Sequence, residues 1–345
     1  MPRGYPPAVL DLAYKLTRPL LFSMDPEDAH ERVLALGGSC PSLLGALGSA
    51  KPDPALATEV SGLSFPSPVG LAAGLDKNGE AILLWEKFGF GFMELGTVTP
   101  RPQPGNDRPR VHRLVEDEGL VNWMGFPSEG AEAIFQRLST LRDKGRWPSI
   151  PVGFNLGKNK DTPQEDAPLD YALAAGRLAT LADFFVINVS SPNTPGLREL
   201  QNADALAAIL EAVLQHARDR PVWVKLSPDL HEEAVHEAVR RVIAEGAGGI
   251  VATNTTVSRP TEASQEFEQG GLSGEPLFPI AHKKVMAVLA AAGEVPVIGV
   301  GGINSPERAR AMMNSGCKAV EVFTGMIFSG PGLVACLNRG LASSA

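Results

Sequence analysis

A cluster of short polar side chains directly follows an apolar run in the middle of the chain. Residues 184–187 read FFVI, which is typical of a strand buried on both faces, and Asn188, Ser191 and Asn193 come next. Prolines and a glycine within residues 192–196 restrict the backbone there. Because an amide both donates and accepts hydrogen bonds, this loop suits a planar ligand with C=O and N–H groups along one edge. An ordinary turn after a core strand is the alternative interpretation.

Further polar groups stand at the ends of other predicted strands. Lys77 follows the first strand, Asn155 ends the third, Lys225 ends the fifth, and residues 253–256 (TNTT) follow the sixth. In a parallel barrel the carboxyl ends of the strands meet at one face, which carries the active site. Burying a lysine and several amides together at this face costs free energy unless a ligand provides hydrogen-bond partners for them. The sequence therefore predicts a bound cofactor.

Glycine-rich turns follow the last two predicted strands. Residues 299–302 read GVGG and residues 323–326 read FTGM, each just before a helical segment. Exposed backbone N–H groups at such turns bind anions, and barrels commonly bind phosphate after strands seven and eight. No Walker-type or dinucleotide glycine pattern follows the first strand. These features favour a mononucleotide over NAD or ATP.

The elements that position these groups are short β-type runs that alternate with amphipathic stretches. Eight strands are predicted, at residues 69–73, 92–98, 152–156, 184–189, 222–226, 249–253, 297–300 and 319–323. Helices are predicted at residues 80–88, 128–142, 170–181, 203–217, 232–244, 279–291, 306–314 and 331–341. This alternation predicts an α/β fold, a (β/α)8 TIM barrel over residues 51–345. The insertion at residues 99–124 is expected to carry a small hairpin and a loop over the barrel mouth.

Residues 1–50 are predicted to form a separate N-terminal helical hairpin. Apolar residues recur at helical spacing over residues 6–22. The second helix is expected to begin after Asp25, a good N-cap followed by Pro26, and to end at the glycine pair 37–38.

The hairpin is locally basic in an acidic protein. Arg3, Lys15 and Arg18 against Asp11 give the first 24 residues a charge of 3 − 1 = +2, whereas the whole chain carries −8. Anionic lipid attracts basic helices with apolar faces, which favours docking on a membrane surface. Packing of the apolar face on the barrel is the alternative, and both can hold.

Composition and charge exclude several classes of protein. The net charge of −8 argues against nucleic acid as the main partner. The three cysteines, Cys40, Cys317 and Cys336, have no metal-type spacing, so we expect a reducing compartment with neither an iron–sulfur cluster nor another metal site. No apolar run approaches the roughly 18 residues that span a bilayer. We therefore expect a peripheral protein on the cytoplasmic side of the cell membrane.

Several long motifs in this order resemble one known family. Residues 188–197 (NVSSPNTPGL), together with residues 72–79, 94–106, 252–256 and 270–274, are similar to dihydroorotate dehydrogenases across nearly the whole chain. Members of that family are flavin barrels that oxidise dihydroorotate to orotate in pyrimidine (UMP) biosynthesis. Ser191 at the base position, where soluble class 1 enzymes carry cysteine, and the helical extension point to the quinone-linked class 2.

The resemblance implies a role for each matching residue. Ser191 is the base that takes the C5 proton while C6 passes hydride to the flavin N5. His30 and Arg113 are the polar quinone contacts. The implied FMN contacts, for one FMN per chain, are Ala73, Gly74, Thr97, Asn155, Asn188, Lys225, Thr253, Ser273, Gly274, Gly301, Gly302, Phe323 and Thr324. The implied contacts to dihydroorotate or orotate are Lys77, Asn122, Met124, Gly125, Phe126, Asn188, Asn193, Asn254 and Thr255. The partners are then this substrate, a membrane quinone and a peripheral membrane surface, and the protein is expected to be a monomer.

Three departures from the family pattern concern the loop over the substrate and the flavin side. Trp123 replaces a usual arginine, Pro127 and Ser128 replace an asparagine-rich pair, and Phe323 stands where tyrosine is common. None of them removes a group assigned to the chemistry.

Three other functions remain open at this stage. A class 1-type enzyme with a soluble acceptor is the nearest relative. A lyase with Lys225 as Schiff base is possible because barrel aldolases also place a strand-end lysine above a phosphate site. A non-catalytic scaffold at the membrane surface is the third.

Overall fold

The computed structural model describes residues 9–48 and 51–343, and the chain there begins with three helices. These are α1 (Val9–Ser23), α2 (Pro26–Ser39) and α3 (Pro41–Gly48). The sequence predicts the first two and misses α3. Arg3 and residues 6–8 of the first predicted helix, together with residues 49 and 50, lie outside the described residues. The division at residue 50 stays a prediction.

The start of α2 is as predicted and its end is not. The Asp25 carboxylate accepts hydrogen bonds from the backbone N–H groups of Glu27 and Asp28. The helix does not stop at residues 37–38 but continues to Ser39. A Cβ atom at Gly38 would lie 2.4 Å from the carbonyl oxygen of Glu80. The glycine pair therefore allows α2 to pack closely on a neighbouring segment instead of ending the helix.

A small antiparallel hairpin, which the sequence does not predict, covers the amino-terminal end of the barrel. It consists of β1 (Thr58–Val60) and β2 (Leu63–Phe65). Ser61 Oγ, at its turn, donates to the carbonyl of Gly248 at 2.7 Å and accepts from Trp223 Nε1 at 3.0 Å. The Phe65 ring stacks on Phe92, with ring centroids 4.4 Å apart. The hairpin thus closes the barrel with aromatic side chains.

The other helices and strands follow in chain order. They are β3 (Val69–Leu71), α4 (Ile82–Trp85), β4 (Phe92–Val98), β5 (Val111–Leu114), β6 (Gly119–Asn122), α5 (Ala131–Asp143), β7 (Val152–Leu156), α6 (Ala167–Leu178), β8 (Phe184–Asn188), α7 (Ala203–Leu214), β9 (Val222–Leu226), α8 (Glu232–Ala244), β10 (Gly249–Ala252), α9 (Glu262–Gln265), β11 (Gly271–Gly274), α10 (Phe278–Ala292), β12 (Val297–Val300), α11 (Pro306–Ser315), β13 (Ala319–Val322), α12 (Thr324–Ser329) and α13 (Gly332–Ala342). The helix predicted at residues 80–88 is α4 followed by a 3₁₀ turn at Glu86–Phe88.

Eight parallel strands form a closed barrel, which confirms the (β/α)8 prediction. Their order is β3, β4, β7, β8, β9, β10, β12 and β13, and β13 pairs back onto β3. Four of them, β3, β8, β10 and β13, end one or two residues before the predicted boundary. The residues just beyond those ends leave the strand ladder and line the carboxyl-terminal face.

The insertion after β4 contains the predicted hairpin, β5 with β6. A third strand, β11, pairs antiparallel with β6 to complete a small sheet. Because β11 lies about 150 residues further along the chain, local patterns could not reveal this pairing. The sheet brings Asn122 and Ser273 to the barrel mouth.

The barrel interior is layered. Phe92, Phe184 and Trp223 are fully buried and pack with Phe65 at the amino-terminal end. Above this aromatic layer lie polar and charged side chains, although they too are almost without solvent exposure. Such a polar layer in a protein core requires partners for every group.

Candidate active site

Buried amides and hydroxyls at the strand ends form one hydrogen-bonded layer. Asn188 Nδ2 donates to Thr97 Oγ1 and to Asn155 Oδ1, both at 3.0 Å. Asn254 Nδ2 donates to Asn188 Oδ1 at 3.2 Å and to Ser190 Oγ at 2.9 Å. The structure therefore brings four of the predicted site residues, from different strands, into contact. Sequence reasoning missed Ser190, which links two of them.

A cluster of three charged side chains lies within the barrel interior. Lys225 Nζ is 3.2 Å from Glu94 Oε2 and 3.6 Å from Glu321 Oε2, and neither glutamate side chain is exposed. Burial by itself lowers the pKa of Lys225, but the two carboxylates outweigh it and raise the pKa above its ordinary value. Lys225 thus has two protein partners that the sequence analysis did not identify. A glutamate within an otherwise apolar strand was the available signal for Glu94 and Glu321.

This pairing bears on the lyase alternative. Schiff-base formation requires a neutral amine. The Glu94 carboxylate at 3.2 Å, with Glu321 at 3.6 Å, holds Lys225 as an ammonium group. The hypothesis of a lyase that forms a Schiff base on Lys225 is therefore not supported.

The glycine turns form a cradle lined by backbone. Gly301 and Gly302 have positive φ angles of 128° and 67°, and a Cβ at Gly302 would lie 2.7 Å from the carbonyl oxygen of Gly274. Thr324 Oγ1 donates to Ser273 Oγ at 2.9 Å across the same corner. Only glycine allows the backbone to approach so closely here. The cradle suits a phosphate group, and Gly74, with Phe323 packed against it, lies at its edge.

Unpaired polar atoms mark the substrate side of the site. Asn193 Nδ2 donates to Asn122 Oδ1 at 3.1 Å, yet Asn193 Oδ1, Thr194 Oγ1 and Thr255 Oγ1 are buried without a hydrogen-bond partner. Buried polar atoms of native proteins are normally satisfied. A ligand with several N–H and C=O groups would satisfy these atoms.

Lys77 provides a cation at the same end of the barrel. Its Nζ donates to the carbonyl of Gly74 at 2.8 Å. Burial lowers the pKa of Lys77 to about 8, although Glu27 and Asp76 oppose this shift. The group is predominantly charged at neutral pH and suits a carboxylate.

The loop that carries Ser191 is held rigid by an arginine that sequence reasoning missed. Arg198 donates to the carbonyls of Ser190 and Thr255, at 3.1 and 3.0 Å, and pairs with Asp229 at 2.9 Å. The Ser191 hydroxyl is buried and accepts from the backbone N–H of Asn193 at 3.2 Å. No carboxylate or histidine contacts the Ser191 hydroxyl within the described residues. The Thr194 hydroxyl, in the same loop, is buried without a partner and is a candidate for a proton path.

Comparison with known proteins decides the family. Residues 55–344 match the profile of the dihydroorotate dehydrogenase family. Proteins named dihydroorotate dehydrogenase (quinone) from Anaeromyxobacter sp. strain K and Deinococcus radiodurans are 48% and 47% identical to the chain. The two matches cover 94% and 95% of this chain and 91% and 95% of the respective relatives. The chain belongs to the dihydroorotate dehydrogenase family.

Solved structures agree with this assignment. The crystal structure of DHODH from Eimeria tenella in complex with ferulenol superposes with a TM-score of 0.86 at 36% identity, covering 94% of each chain. The resemblance inferred from the motifs is confirmed, and so is the oxidoreductase class. Dihydroorotate dehydrogenases depend on a flavin, and the glycine cradle, the Lys225 cation and the unpaired polar atoms provide the donor set that such a cofactor needs.

The loop at residues 123–128 is ordered by contacts of its own. Gln103 Nε2 donates to the carbonyls of Gly125 and Phe126 at 3.2 and 2.8 Å, and Phe126 has a positive φ of 56°. Trp123 stacks on His112 with ring centroids 5.0 Å apart. Met124 accepts a backbone hydrogen bond from Asn106 at 2.9 Å. The departures at residues 123 and 127–128 thus leave the loop well supported.

The two residues implied for quinone lie between the N-terminal helices and the barrel. Arg113 donates to the carbonyls of Met24 and Leu21 at 2.9 and 3.2 Å and lies over the Phe22 ring at 4.8 Å, while its Nε is buried and unpaired. Burial and the nearby charge of Lys77 lower the pKa of His30 to about 3, so the ring is neutral. Sequence reasoning missed Tyr14, whose hydroxyl donates to the carbonyl of Ile327.

Proposed function

We propose that this protein oxidises (S)-dihydroorotate to orotate and passes the electrons through FMN to a membrane quinone, in de novo pyrimidine biosynthesis. One observation carries the proposal: polar atoms of Asn193 and Thr255 are buried and unpaired, and Lys77, which follows β3, provides a cation at the same end of the barrel. A ring with alternating C=O and N–H groups and one carboxylate matches that set of groups. The relatives named as quinone enzymes favour this acceptor over a soluble one.

The cofactor residues divide into two groups. The backbone at Gly301 and Gly302, with Gly274, Ser273 and Thr324, would hold the phosphate of FMN. Lys225 would face the electron-rich edge of the flavin ring, with the remaining contacts from Ala73, Gly74, Thr97, Asn155, Asn188, Thr253 and Phe323. FMN, when bound, supplies the acceptor for the hydride that leaves C6 of the substrate.

The chain's own residues orient the substrate and move its proton. Asn122, Asn193, Asn254 and Thr255 would bind the ring edge, Lys77 the carboxylate, and residues 124–126 would cover the ring. Ser191 Oγ removes the C5 proton. A neutral serine hydroxyl accepts the C5 proton only as it passes its own proton on, and the buried, unpaired hydroxyl of Thr194 or a water would receive that proton. The hydrogen bond from the Asn193 N–H stabilises the negative charge on Oγ as the hydroxyl proton leaves.

The N-terminal helices would admit the quinone. His30, Arg113 and Tyr14 line the region between α1, α2 and the barrel. A neutral His30 donates one ring N–H, and the unpaired Nε of Arg113 donates to a quinone carbonyl. No helix within the described residues is long and apolar enough to cross a membrane. Peripheral attachment at the cytoplasmic face, as a monomer, is the arrangement we propose.

An anaerobic titration tests this function. Purified protein should show a flavin absorbance band that bleaches when dihydroorotate is added and returns when a long-chain quinone is added. Ser191→Ala should slow the bleaching by roughly 10²–10⁴-fold, since one positioned base contributes about this much. Orotate binding to the variant, measured by calorimetry, should stay within about threefold of the parent protein and so control for loop integrity. A colourless protein that takes up no FMN would contradict the proposal, and recovery with fumarate but not quinone would reassign the acceptor.

A further inference from the structure

A buried ion pair joins the N-terminal helices to the barrel mouth. Glu27 in α2 and Arg110 just before β5 are each only 6% exposed. Their contact is two-pronged: Arg110 Nε lies 3.0 Å from Glu27 Oε2, and Arg110 Nη2 lies 2.6 Å from Glu27 Oε1. Such a paired geometry fixes both position and orientation of the guanidinium group.

The third nitrogen of the same guanidinium group holds a loop at the substrate site. Arg110 Nη1 donates to the carbonyls of Pro104 and Asn106, both at 2.6 Å. The backbone and the guanidinium group are closely packed here, because a Cβ atom at Gly105 would lie only 2.6 Å from Arg110 Nη1. The position of residues 104–106 therefore depends on where Glu27 holds Arg110.

Asn106 carries the connection on to substrate-binding residues. Its Nδ2 donates to the carbonyl of Asn193 at 3.1 Å and to that of Trp123 at 2.8 Å, and its backbone N–H donates to Met124. Asn193 in turn donates its backbone N–H to Ser191 Oγ. A continuous series of contacts thus runs from α2 to the proposed base.

We propose that Glu27 and Arg110 are positioning residues of the active site, through which the seating of the N-terminal helices sets the affinity for dihydroorotate and orotate. The helices then serve the substrate half of the reaction as well as the acceptor half. This inference rests on the proposed function. It adds that a protein whose helices are displaced from the barrel binds substrate weakly.

Charge supports the same coupling. Glu27 raises the pKa of Lys77 against the effect of burial, whereas Arg110 lowers it. The other charged groups that act on Lys77 are Asp76 and Glu80, and Lys77 in turn acts on His30. Loss of the Glu27 charge would leave Lys77 less protonated near pH 8 and so less able to hold a carboxylate.

The variants Glu27→Gln and Glu31→Gln form a matched pair. Both residues lie on α2 and both contact Arg108, but Glu31 is exposed and has no path to Asn106. In FMN-loaded full-length protein, Glu27→Gln should weaken orotate binding, measured by calorimetry, on the order of tenfold, and more at pH 8 than at pH 6. Glu31→Gln should bind like the parent protein. In steady state at saturating quinone, Glu27→Gln should raise KM for dihydroorotate, whereas Glu31→Gln should not.

A double-mutant cycle at pH 6 tests the route through contacts, because Lys77, with a pKa of about 8, is charged at that pH. Asn106→Ala removes the link to Asn193 without touching the ion pair, and it should also weaken orotate binding. If Glu27 acts through Asn106, the double variant should lose about as much as the larger single variant and not the sum. Additive losses, or parent-like orotate binding by Glu27→Gln, would overturn the inference.

Should Glu27→Gln not fold, Glu27→Asp decides, because it keeps the charge but breaks the two-pronged contact. Weaker orotate binding supports the inference, and unchanged binding overturns it. Failure of the parent protein to bind orotate would instead overturn the proposed function.

Discussion

Two carboxyl groups share one lysine in the barrel interior. Lys225 contributes +1 and Glu94 and Glu321 up to −2, so the cluster would carry −1 in a region without solvent exposure. Burial and the neighbouring Glu94 raise the pKa of Glu321 well above its ordinary value of 4.5. The arrangement is neutral when Glu94 pairs with Lys225 and Glu321 keeps its proton.

This protonation makes stability depend on pH. Because the folded-state pKa of Glu321 is raised, its contribution to the free energy of unfolding is complete below pH 4.5 and is lost as the pH rises towards the folded-state value. Glu321→Gln removes that dependence. The variant should therefore be at least as stable as the parent protein at pH 8, and the difference should shrink towards pH 4. Chemical denaturation across this range measures it, with exposed Glu211→Gln on α7 as control. The free energy of unfolding of the variant minus that of the parent should not fall between pH 5 and pH 8. A fall would contradict a protonated Glu321.

The lowered pKa of Lys77 predicts that the affinity for orotate depends on pH. Its pKa in the protein is about 8, below the ordinary 10.5, chiefly because of burial. Orotate affinity should fall as the pH rises through about 8, since the neutral amine no longer attracts the carboxylate. In Lys77→Gln the affinity should be weaker and independent of pH. Calorimetric titration with orotate from pH 6 to pH 10 checks both, and a parent profile that stays flat across pH 8 would refute the assignment of Lys77.

At the scale of elements, helix α1 presents leucines to solvent. Leu12, Leu16 and Leu20 are 54%, 75% and 67% exposed, at a spacing of four residues. Exposed leucines are also present at Leu36 in α2 and Leu43 in α3. The structure thus leaves an apolar face on the N-terminal helices, while α2 packs on the barrel. Packing against the rest of the protein is therefore observed for α2, while membrane docking stays a prediction for the exposed leucine face of α1.

The membrane prediction can be tested on that face. The double replacement of Leu16 and Leu20 by serine should lower binding to vesicles of anionic lipid by at least tenfold in a sedimentation assay. Burial of one leucine contributes roughly 1.5–3 kcal/mol, so two exceed this factor. Serine at Leu169 and Leu173, which are similarly exposed on α6, is the matched control. If both double variants bind vesicles equally, α1 is not the docking element.

At the scale of the whole molecule, hydrogen bonds and an ion pair join the N-terminal helices to the β5–β6 region. Arg113 is held by the carbonyls of Leu21, in the last turn of α1, and of Met24, just after it, and Arg110 is held by Glu27. Deletion of residues 1–50 should abolish turnover with a long-chain quinone. Anaerobic reduction of the flavin by dihydroorotate should persist, but with a half-saturating concentration raised about tenfold because Arg110 loses its buried partner. Stopped-flow reduction separates the two effects. A truncated protein that reduces long-chain quinone at the full rate would refute the quinone assignment.

Local patterns in the sequence determined the barrel. Alternating apolar runs and amphipathic helices predict all eight strands, because strand burial and helix periodicity depend on neighbouring residues. The polar residues at the strand ends could be predicted for the same reason. Asn188, Ser191 and Lys225 follow or end buried runs, and the carboxyl ends of the strands in a parallel barrel meet at one face. The roles of individual residues in binding came from the family resemblance, and they remain predictions.

Only the tertiary structure decided which groups meet across the fold. Glu94, Lys225 and Glu321 lie on three strands, β4, β9 and β13, and become neighbours because the barrel closes. Glu27 meets Arg110 because α2 lies against the β5–β6 hairpin, and Gly38 allows the same helix to approach the Glu80 carbonyl instead of ending there. Local sequence specifies how a segment folds, since it sets backbone preference and which face is apolar. Pairing of buried charges depends on the relative placement of segments that are 80 or more residues apart, which no local pattern encodes.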